Sequence, residues 1–423
     1  MLRSLLSPTA LIICGVFAQP VLAQAEPAKQ VHIGVILPAA TDPQSLEASV
    51  AKAAQQGAAM AEEEFQLNAS MFEMDFAVVT AQANGADVVA AADSLVADGK
   101  AFAIAGAFDA EEGRLLSDWS AAKGVPFVNL FAADDRLRNE LCKPTSFHVA
   151  PSAAMYLDSL AGWFVRAGFR NWFIVEADTE EGAGQYARLG RALNDRHFGA
   201  REVGHAVVPA GGAIGEDVLS NISGSGADVV VLLTPAEDQL TALKAMEAAG
   251  IKLMVTGFPY PETQTRSFFA LSREAAPKLG SGMRATAWEP TLDAYGAREL
   301  NARYMDRWGE PMEAAAWATY QGVKVFFEAA MFGGSTEPDA VLNYLSAPTS
   351  VFDVWKGIGT SFRPWDHQLR QPLYLSQIDE TATDAKQMGL LVGELPAIYM
   401  PGTDPVERLD QMGDLASQSQ CRF

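Results

Sequence analysis

Three groups of residues have types and spacing that could do chemistry. Gly182-Ala183-Gly184-Gln185-Tyr186-Ala187 follows a predicted strand and fits the loose G-x-G-x-x-A spacing of a dinucleotide site, where a helix N-terminus meets a pyrophosphate. Asp178-Thr179-Glu180-Glu181 comes just before it, and carboxylates there repel a pyrophosphate, so an ordinary glycine-rich helix entry is the better reading. Arg363, Trp365 and Arg370 form a basic-aromatic group in which guanidinium stacked on indole contributes about 0.5–2 kcal/mol. Such a group either fixes its own turn or meets a ligand, and the first use is favoured. Cys142 and Cys421 are an even pair once the leader is set aside. The remaining chemistry is missing from the pattern. His32, His148, His197, His205 and His367 are scattered, no pair stands at metal-ligand spacing, and two distant cysteines make no zinc site. There is no nucleophile elbow and no P-loop. The sequence thus points to binding rather than catalysis, with no catalytic residue, no metal and no catalytic cofactor expected.

The first 23 residues set the compartment. Arg3, the apolar run Leu11 to Ala18 and the small-residue site Val21-Leu22-Ala23 have the form of a secretory signal peptide cleaved after Ala23. The run is too short for a permanent membrane span. In an oxidising compartment Cys142 and Cys421 are expected to pair, pinning the C-terminal tail to the body; one buried and one dangling thiol is the alternative. The whole chain carries 31 basic and 52 acidic residues, a net charge of −21. Without the leader and its single charge, Arg3, the balance is 30 against 52. That excess argues against nucleic acid or an anionic membrane as partner, since both need basic surface. An anionic ligand would need a local basic pocket within an adverse field.

Strand and helix signals alternate along the chain. Strands are predicted at Val31–Leu37, Phe72–Val79, Ala101–Ala107 and Gly124–Leu130, with helices at Ser45–Leu67, Ala86–Ala97 and Glu111–Ala122 between them. A second series has helices at Met155–Ala167, Gln185–Arg196 and Ala236–Ala249. Its strands are Trp172–Glu176, Val203–Val208, Asp228–Leu233 and Lys252–Thr256. Two helical stretches (Leu292–Trp308 and Glu313–Ala330), a hairpin around Phe362 to Ser376 and an irregular tail follow. The alternation means βαβ units, mostly parallel sheets and two Rossmann-like α/β lobes. Ligands of such sheets lie beyond the carboxyl ends of strands, which brings forward Phe108, Asp109, Ala110, Glu111, Asn129 and Phe131.

Several stretches, in this order and spacing, resemble the type I periplasmic substrate-binding proteins of the leucine/isoleucine/valine-binding kind. They are Gln56-Gly57-Ala58-Ala59-Met60-Ala61-Glu62, Gly124-Val125-Pro126-Phe127-Val128-Asn129, Phe147-His148-Val149-Ala150-Pro151-Ser152, Ala249-Gly250-Ile251 and Thr256-Gly257. The resemblance implies a periplasmic protein with three hinge crossings between its lobes, a small-molecule ligand between them and delivery to an inner-membrane ABC permease. The lobes it implies are residues 30–146 with 265–372 and residues 147–264 with 373–400, the tail 401–423 being pinned to the first. It also turns the loops at Asp178 and Thr234 and the segment Phe258–Tyr260 toward the ligand, and puts His148 at a crossing, where it either meets a ligand carboxylate or bonds within the hinge. Trp288 lies near another crossing and either stacks on a flat ligand or belongs to the core.

The departures from that family bear on the ligand. Amino-acid-binding members hold the ammonium with an acidic residue soon after the glycine matching Gly257, and here none comes before Glu262. A narrower resemblance, carried by Ser361-Phe362-Arg363-Pro364-Trp365-Asp366-His367-Gln368-Leu369-Arg370-Gln371-Pro372, by Leu137-Arg138 with Cys142 and by Cys421-Arg422, is to a branch that accompanies PQQ-dependent alcohol oxidation. It implies an acidic or aromatic ligand such as pyrroloquinoline quinone, contact from Arg363, and a quinoprotein alcohol dehydrogenase as a partner. An amino acid, amide or alcohol-derived acid is the alternative ligand. A periplasmic enzyme or a sensory partner of the dehydrogenase is the alternative of another class.

Overall fold

The computed structural model describes residues 29–396 and 402–423, so the expected leader lies outside the described residues. The chain opens with β1 (Lys29–Leu37), α1 (Leu46–Met71), β2 (Met74–Gln82), α2 (Asp87–Ala97), β3 (Ala103–Gly106), α3 (Ala110–Lys123), β4 (Phe127–Asn129) and β5 (Ser146–His148). These strands form one parallel sheet in the order β2-β1-β3-β4-β5. Connections run outward in both directions from β1 and β3, so their carboxyl ends frame an open crevice.

A second unit follows: α4 (Ala153–Arg166), β6 (Asn171–Ala177), α5 (Glu180–Arg191), β7 (Arg201–Val208), α6 (Glu216–Gly224), β8 (Val229–Leu233), α7 (Ala236–Ala248) and β9 (Met254–Gly257). Its sheet is also parallel, in the order β7-β6-β8-β9, with the reversal between β6 and β8. The rest of the chain adds α8 (Arg266–Ala275), β10 (Met283–Thr286), α9 (Ala297–Trp308), α10 (Ala314–Phe332), α11 (Pro338–Ser346), β11 (Leu373–Ile378), β12 (Gly389–Leu395) and α12 (Pro405–Leu409). β10, β11 and β12 make a small antiparallel sheet. The fold is thus α/β with two lobes, as the alternating pattern requires.

α1 shows how the sequence builds its packing. Ser45 caps it by accepting from the Ala48 amide at 3.1 Å, and Val50, Ala53, Ala54, Ala58 and Ala61 give a buried face of small residues. That face lets α10 come close: a Cβ on Gly57 would lie 2.2 Å from the Ala316 carbonyl oxygen. Gly57→Ala is therefore expected to cost about 1–3 kcal/mol by forcing the two helices apart, read from the urea unfolding midpoint. An unchanged midpoint would mean that the helix pair has slack.

The core changes sides at three places. Val149 belongs to the first lobe and Ala153 to the second, Ala285 to the second and Ala287 to the first, Leu369 to the first and Leu373 to the second. The segment 266–286 consequently packs with the second lobe, where the sequence-based boundary had assigned it to the first. Its strand β10 pairs with β11, and Ala285 shares a core with Leu157 and Val231. The expected hairpin around Phe362 to Ser376 is instead a tight loop closed by a single Phe362–Leu369 bridge, after which β11 leaves to pair elsewhere. The helix expected from Leu292 begins only at Ala297, because Tyr295 and Gly296 take left-handed backbone with φ of 56° and 79°. The tail expected to be irregular contains β12 and α12. Cys142 and Cys421 form a disulfide with Cα atoms 5.8 Å apart.

Candidate functional site

Between the lobes lies a cleft of about 560 Å³ lined from the first lobe by residues 133–136, 139 and 140, from α5 by Glu180, Glu181, Gln185 and Arg191, from β9's end by Phe258, and from the tail by Asp414, Gln418 and Gln420. A separate, smaller cavity of about 260 Å³ is lined by Tyr260, Glu47, Gly211, the first turn of α7 and Glu262. Phe258 of the larger cavity and Tyr260 of the smaller pack edge to face at 4.8 Å, and Gln185 Nε2 donates to Tyr260 Oη at 2.9 Å. Arg136 of the first lobe and Glu180 of the second form an ion pair across the mouth.

The cleft is acidic. Glu181 sits in the first turn of α5 and Glu262 just past β9, and both carboxyls are pushed up to about 7. Burial is the largest cause in each case. Asp134 and Asp109 raise Glu181 further, and Glu47, Asp109 and Glu181 raise Glu262. Burial likewise raises Asp109, against the amides of Glu112 and Glu111 that favour its charged form. The acidic groups come from both lobes, so closing the cleft brings like charges together.

Gln185 sharpens what the site lacks. It is 3% exposed, and its Nε2 donates to Glu181 Oε1 at 3.2 Å as well as to Tyr260. Its Oε1 is buried without a partner. The site therefore offers a spare acceptor and an excess of negative charge. Arg136, Arg188 and Arg191 stand on the same cavity wall; the first two are paired with carboxylates, and Arg191 supplies a further positive group.

The residues singled out in the sequence fall into two sets. Asp109 lies close enough to raise Glu181 and Glu262, and its Oδ1 caps α3 by accepting from the Glu112 amide at 2.8 Å; Ala110 and Glu111 form the first turn beside it. Phe108 and Phe131 are buried and stacked at 6.2 Å, forming the floor behind Asp109 rather than an open aromatic face. Asp178 is exposed before α5, and Thr234 is buried after β8 with an unpartnered Oγ1. Phe258 lines the larger cavity and Tyr260 the smaller.

Four other residues are taken up by the fold. Asn129 donates from Nδ2 to the Ala132 carbonyl at 2.7 Å and accepts the Ala132 amide at 2.8 Å, closing the turn after β4. His148 lies 3.1 Å from Asn129 Nδ2, and burial, with Arg138 and His367 nearby, holds its imidazole well below its ordinary pKa. A neutral, enclosed ring cannot answer a ligand carboxylate. Trp288 is 1% exposed, donates to Asn301 Oδ1 at 3.0 Å and stacks on Trp317 at 5.8 Å, so it is a core residue. Arg363 is also 1% exposed, and its Nη2 donates to the carbonyls of Leu409 at 3.0 Å and Met412 at 2.7 Å. It holds the tail.

The glycine pattern at Gly182 is a packing device. A Cβ there would lie 2.2 Å from the Ala177 carbonyl oxygen, so glycine lets α5 start directly on β6. Thr179 Oγ1 already accepts the Gly182 amide at 3.0 Å, which occupies that helix start. Among the described residues, no group of three or more His, Cys, Asp or Glu side chains is placed to hold a metal, and no helix is long and apolar enough to cross a membrane.

Comparison with known proteins agrees with this architecture. A family model described as periplasmic binding protein matches residues 30–385. A periplasmic binding protein from Burkholderia mallei superposes with a TM-score of 0.73 at 20% identity, over 93% of this chain and 98% of that one. The substrate-binding protein LivJ from Streptococcus pneumoniae, solved with isoleucine, gives 0.68 at 16% identity over 86% and 99%. A solute-binding protein from R. palustris, solved with benzoate, gives 0.67 at 13% identity over 93% and 100%. Identities this low establish the shared fold alone. A search of curated proteins finds no match.

Proposed function

Because the chain belongs to the periplasmic binding protein family, whose members are substrate-binding proteins of ABC transporters rather than enzymes, we propose that it captures a small amino-acid-like solute through its ammonium group. The observation that carries this reading is the acidic lining, Glu181 on the larger cavity and Glu262 on the smaller, each raised by the nearby charge of Asp109, with the spare acceptor Gln185 Oε1 beside Glu181. An ammonium relieves the repulsion that closure creates and satisfies the free acceptor. Arg191 is the group on the same wall suited to a ligand carboxylate. Glu262 sits a few residues later, and Glu181 well earlier, than the acidic anchor that amino-acid-binding relatives are expected to carry soon after the glycine matching Gly257. The LivJ relative was solved with isoleucine, which is in keeping with an amino-acid ligand. The receiving partner is then an inner-membrane ABC permease.

A tricarboxylate such as PQQ meets a repulsive field of its own sign in this cleft. The quinone and its dehydrogenase are therefore the second reading, resting on the Ser361–Pro372 signature, and that signature has a structural use in anchoring the tail. The two readings differ in pH dependence. With both carboxyls near 7, ammonium binding is expected to strengthen as pH rises from about 6 to 8 and to release protons, while tricarboxylate binding strengthens as pH falls. Calorimetric titration with L-leucine, L-lysine, L-glutamate and PQQ across that range, in two buffers of different ionisation enthalpy, tests this. Saturable binding of PQQ alone, tighter at low pH, would overturn the ammonium reading.

A further inference from the structure

The signature Ser361–Pro372 and the disulfide act together on one segment. After α12 the chain leaves the second lobe, where Arg196 Nη2 donates to the Gly413 carbonyl at 2.6 Å and the Gly413 amide donates to Asp158 Oδ2 at 3.2 Å. Asp414 is the pivot: it pairs with Arg188 of α5 and accepts from Asn139 Nδ2 of the first lobe at 3.0 Å. Beyond it the chain is bound to the first lobe. Ser419 Oγ donates to the Trp365 carbonyl at 2.6 Å, Cys421 is bridged to Cys142, and Phe423 stacks on His367 at 3.9 Å. Upstream, Asp410 accepts from Arg363 and Arg370, whose guanidiniums flank the Trp365 ring at 5.4 and 5.2 Å. The tail thus crosses between the lobes a fourth time, and between Asp414 and Cys421 it borders the cleft with Gln418 and Gln420.

We propose that this segment is the end wall of the binding cleft: a covalently anchored strap that restrains lobe opening through Asp414 and selects the solute through Gln418 and Gln420. The proposal builds on the reading of the cleft as the solute site. The restraint follows from geometry. A hinge opening that separates α5 from residues 135–140 must break the Asp414 contacts or drag the strap, and the disulfide stops the strap from following. The selection follows from position, since the two amides offer donors and acceptors to a solute's end and close the space beyond it.

Two variants of the full chain test it. Cys142→Ser with Cys421→Ser frees the end without changing a residue of the cleft. Hydrogen exchange in the unliganded protein is expected to quicken about ten-fold in residues 135–140 and 180–191, with α10 unchanged as the control for the global fold. Exchange that quickens only in 415–423 would overturn the restraint. Gln418→Ala with Gln420→Ala is expected to leave exchange in α5 unchanged but to shift the relative affinities for L-leucine, L-lysine and L-glutamate by about ten-fold. Parental affinities for all three would overturn the selection. If none of the three binds the parent protein, the ammonium reading fails and selection by the two amides falls with it; the exchange result, which needs no solute, still decides the restraint.

Discussion

Glu181→Gln and Glu262→Gln, singly and together, are expected to weaken binding of an ammonium-bearing amino acid while making the empty protein more stable at neutral pH. Removing one partner of an enclosed charge pair costs about 2–4 kcal/mol, which is about 30- to 1,000-fold in affinity. The stability effect has the opposite sign. Both carboxyls titrate near 7 in the folded chain against an ordinary value of 4.5. A group raised on folding leaves stability untouched below about pH 4.5, erodes it as the pH rises to about 7, and adds nothing further above that. Glutamine removes the erosion. Thermal melts at about pH 5 and pH 8 should therefore separate the variants from the parent only at the higher pH, while calorimetry shows the lost affinity. Variants that bind as the parent does would place the ammonium elsewhere.

Arg363→Met is expected to destabilise the protein by about 3–5 kcal/mol, the cost of breaking a buried ion pair from one side. Arg363 Nε bonds Asp410 at 3.1 Å while Nη2 holds two tail carbonyls, so methionine leaves several acceptors facing an apolar side chain. Arg370 retains Asp410 at 2.7 Å, which keeps the loss local to the strap. Urea unfolding followed by tryptophan fluorescence measures the effect, and a change below about 1 kcal/mol would show that the loop does not hold the tail. Ligand contact, the role considered for this arginine from sequence, predicts the converse: unchanged stability with lost binding.

Much of the lobe architecture could be read from periodicity, because each buried strand is a short apolar run and each helix repeats small or apolar residues on one face. α6, α8, α11 and β12 escaped because their sequences are mixed. Their place depends on tertiary partners rather than on their own pattern, as when β12 pairs with β11 and α8 packs on α7. The site divided in the same way. Asp109, Phe258 and Tyr260 follow strand ends and are visible as such. Gln185 lay inside a motif read as a glycine-rich helix entry, Glu181 was read only as one of the carboxylates repelling a pyrophosphate there, and Glu262 was noted only as a late carboxylate.

By itself the sequence determined the α/β alternation and the net acidity, since these depend on residue type and local repeat; the pairing of Cys142 with Cys421 was an expectation that the fold realises across 279 residues. The tertiary structure decided the rest. Burial turned His148, Asn129, Trp288 and Arg363 from ligand candidates into parts of the fold, because each found its hydrogen-bond partners within the protein. The same closure brought Asp109, Glu181 and Glu262 into one field although they are far apart in the chain. Charge recognition depends on distance and dielectric, and both are properties of the folded cleft.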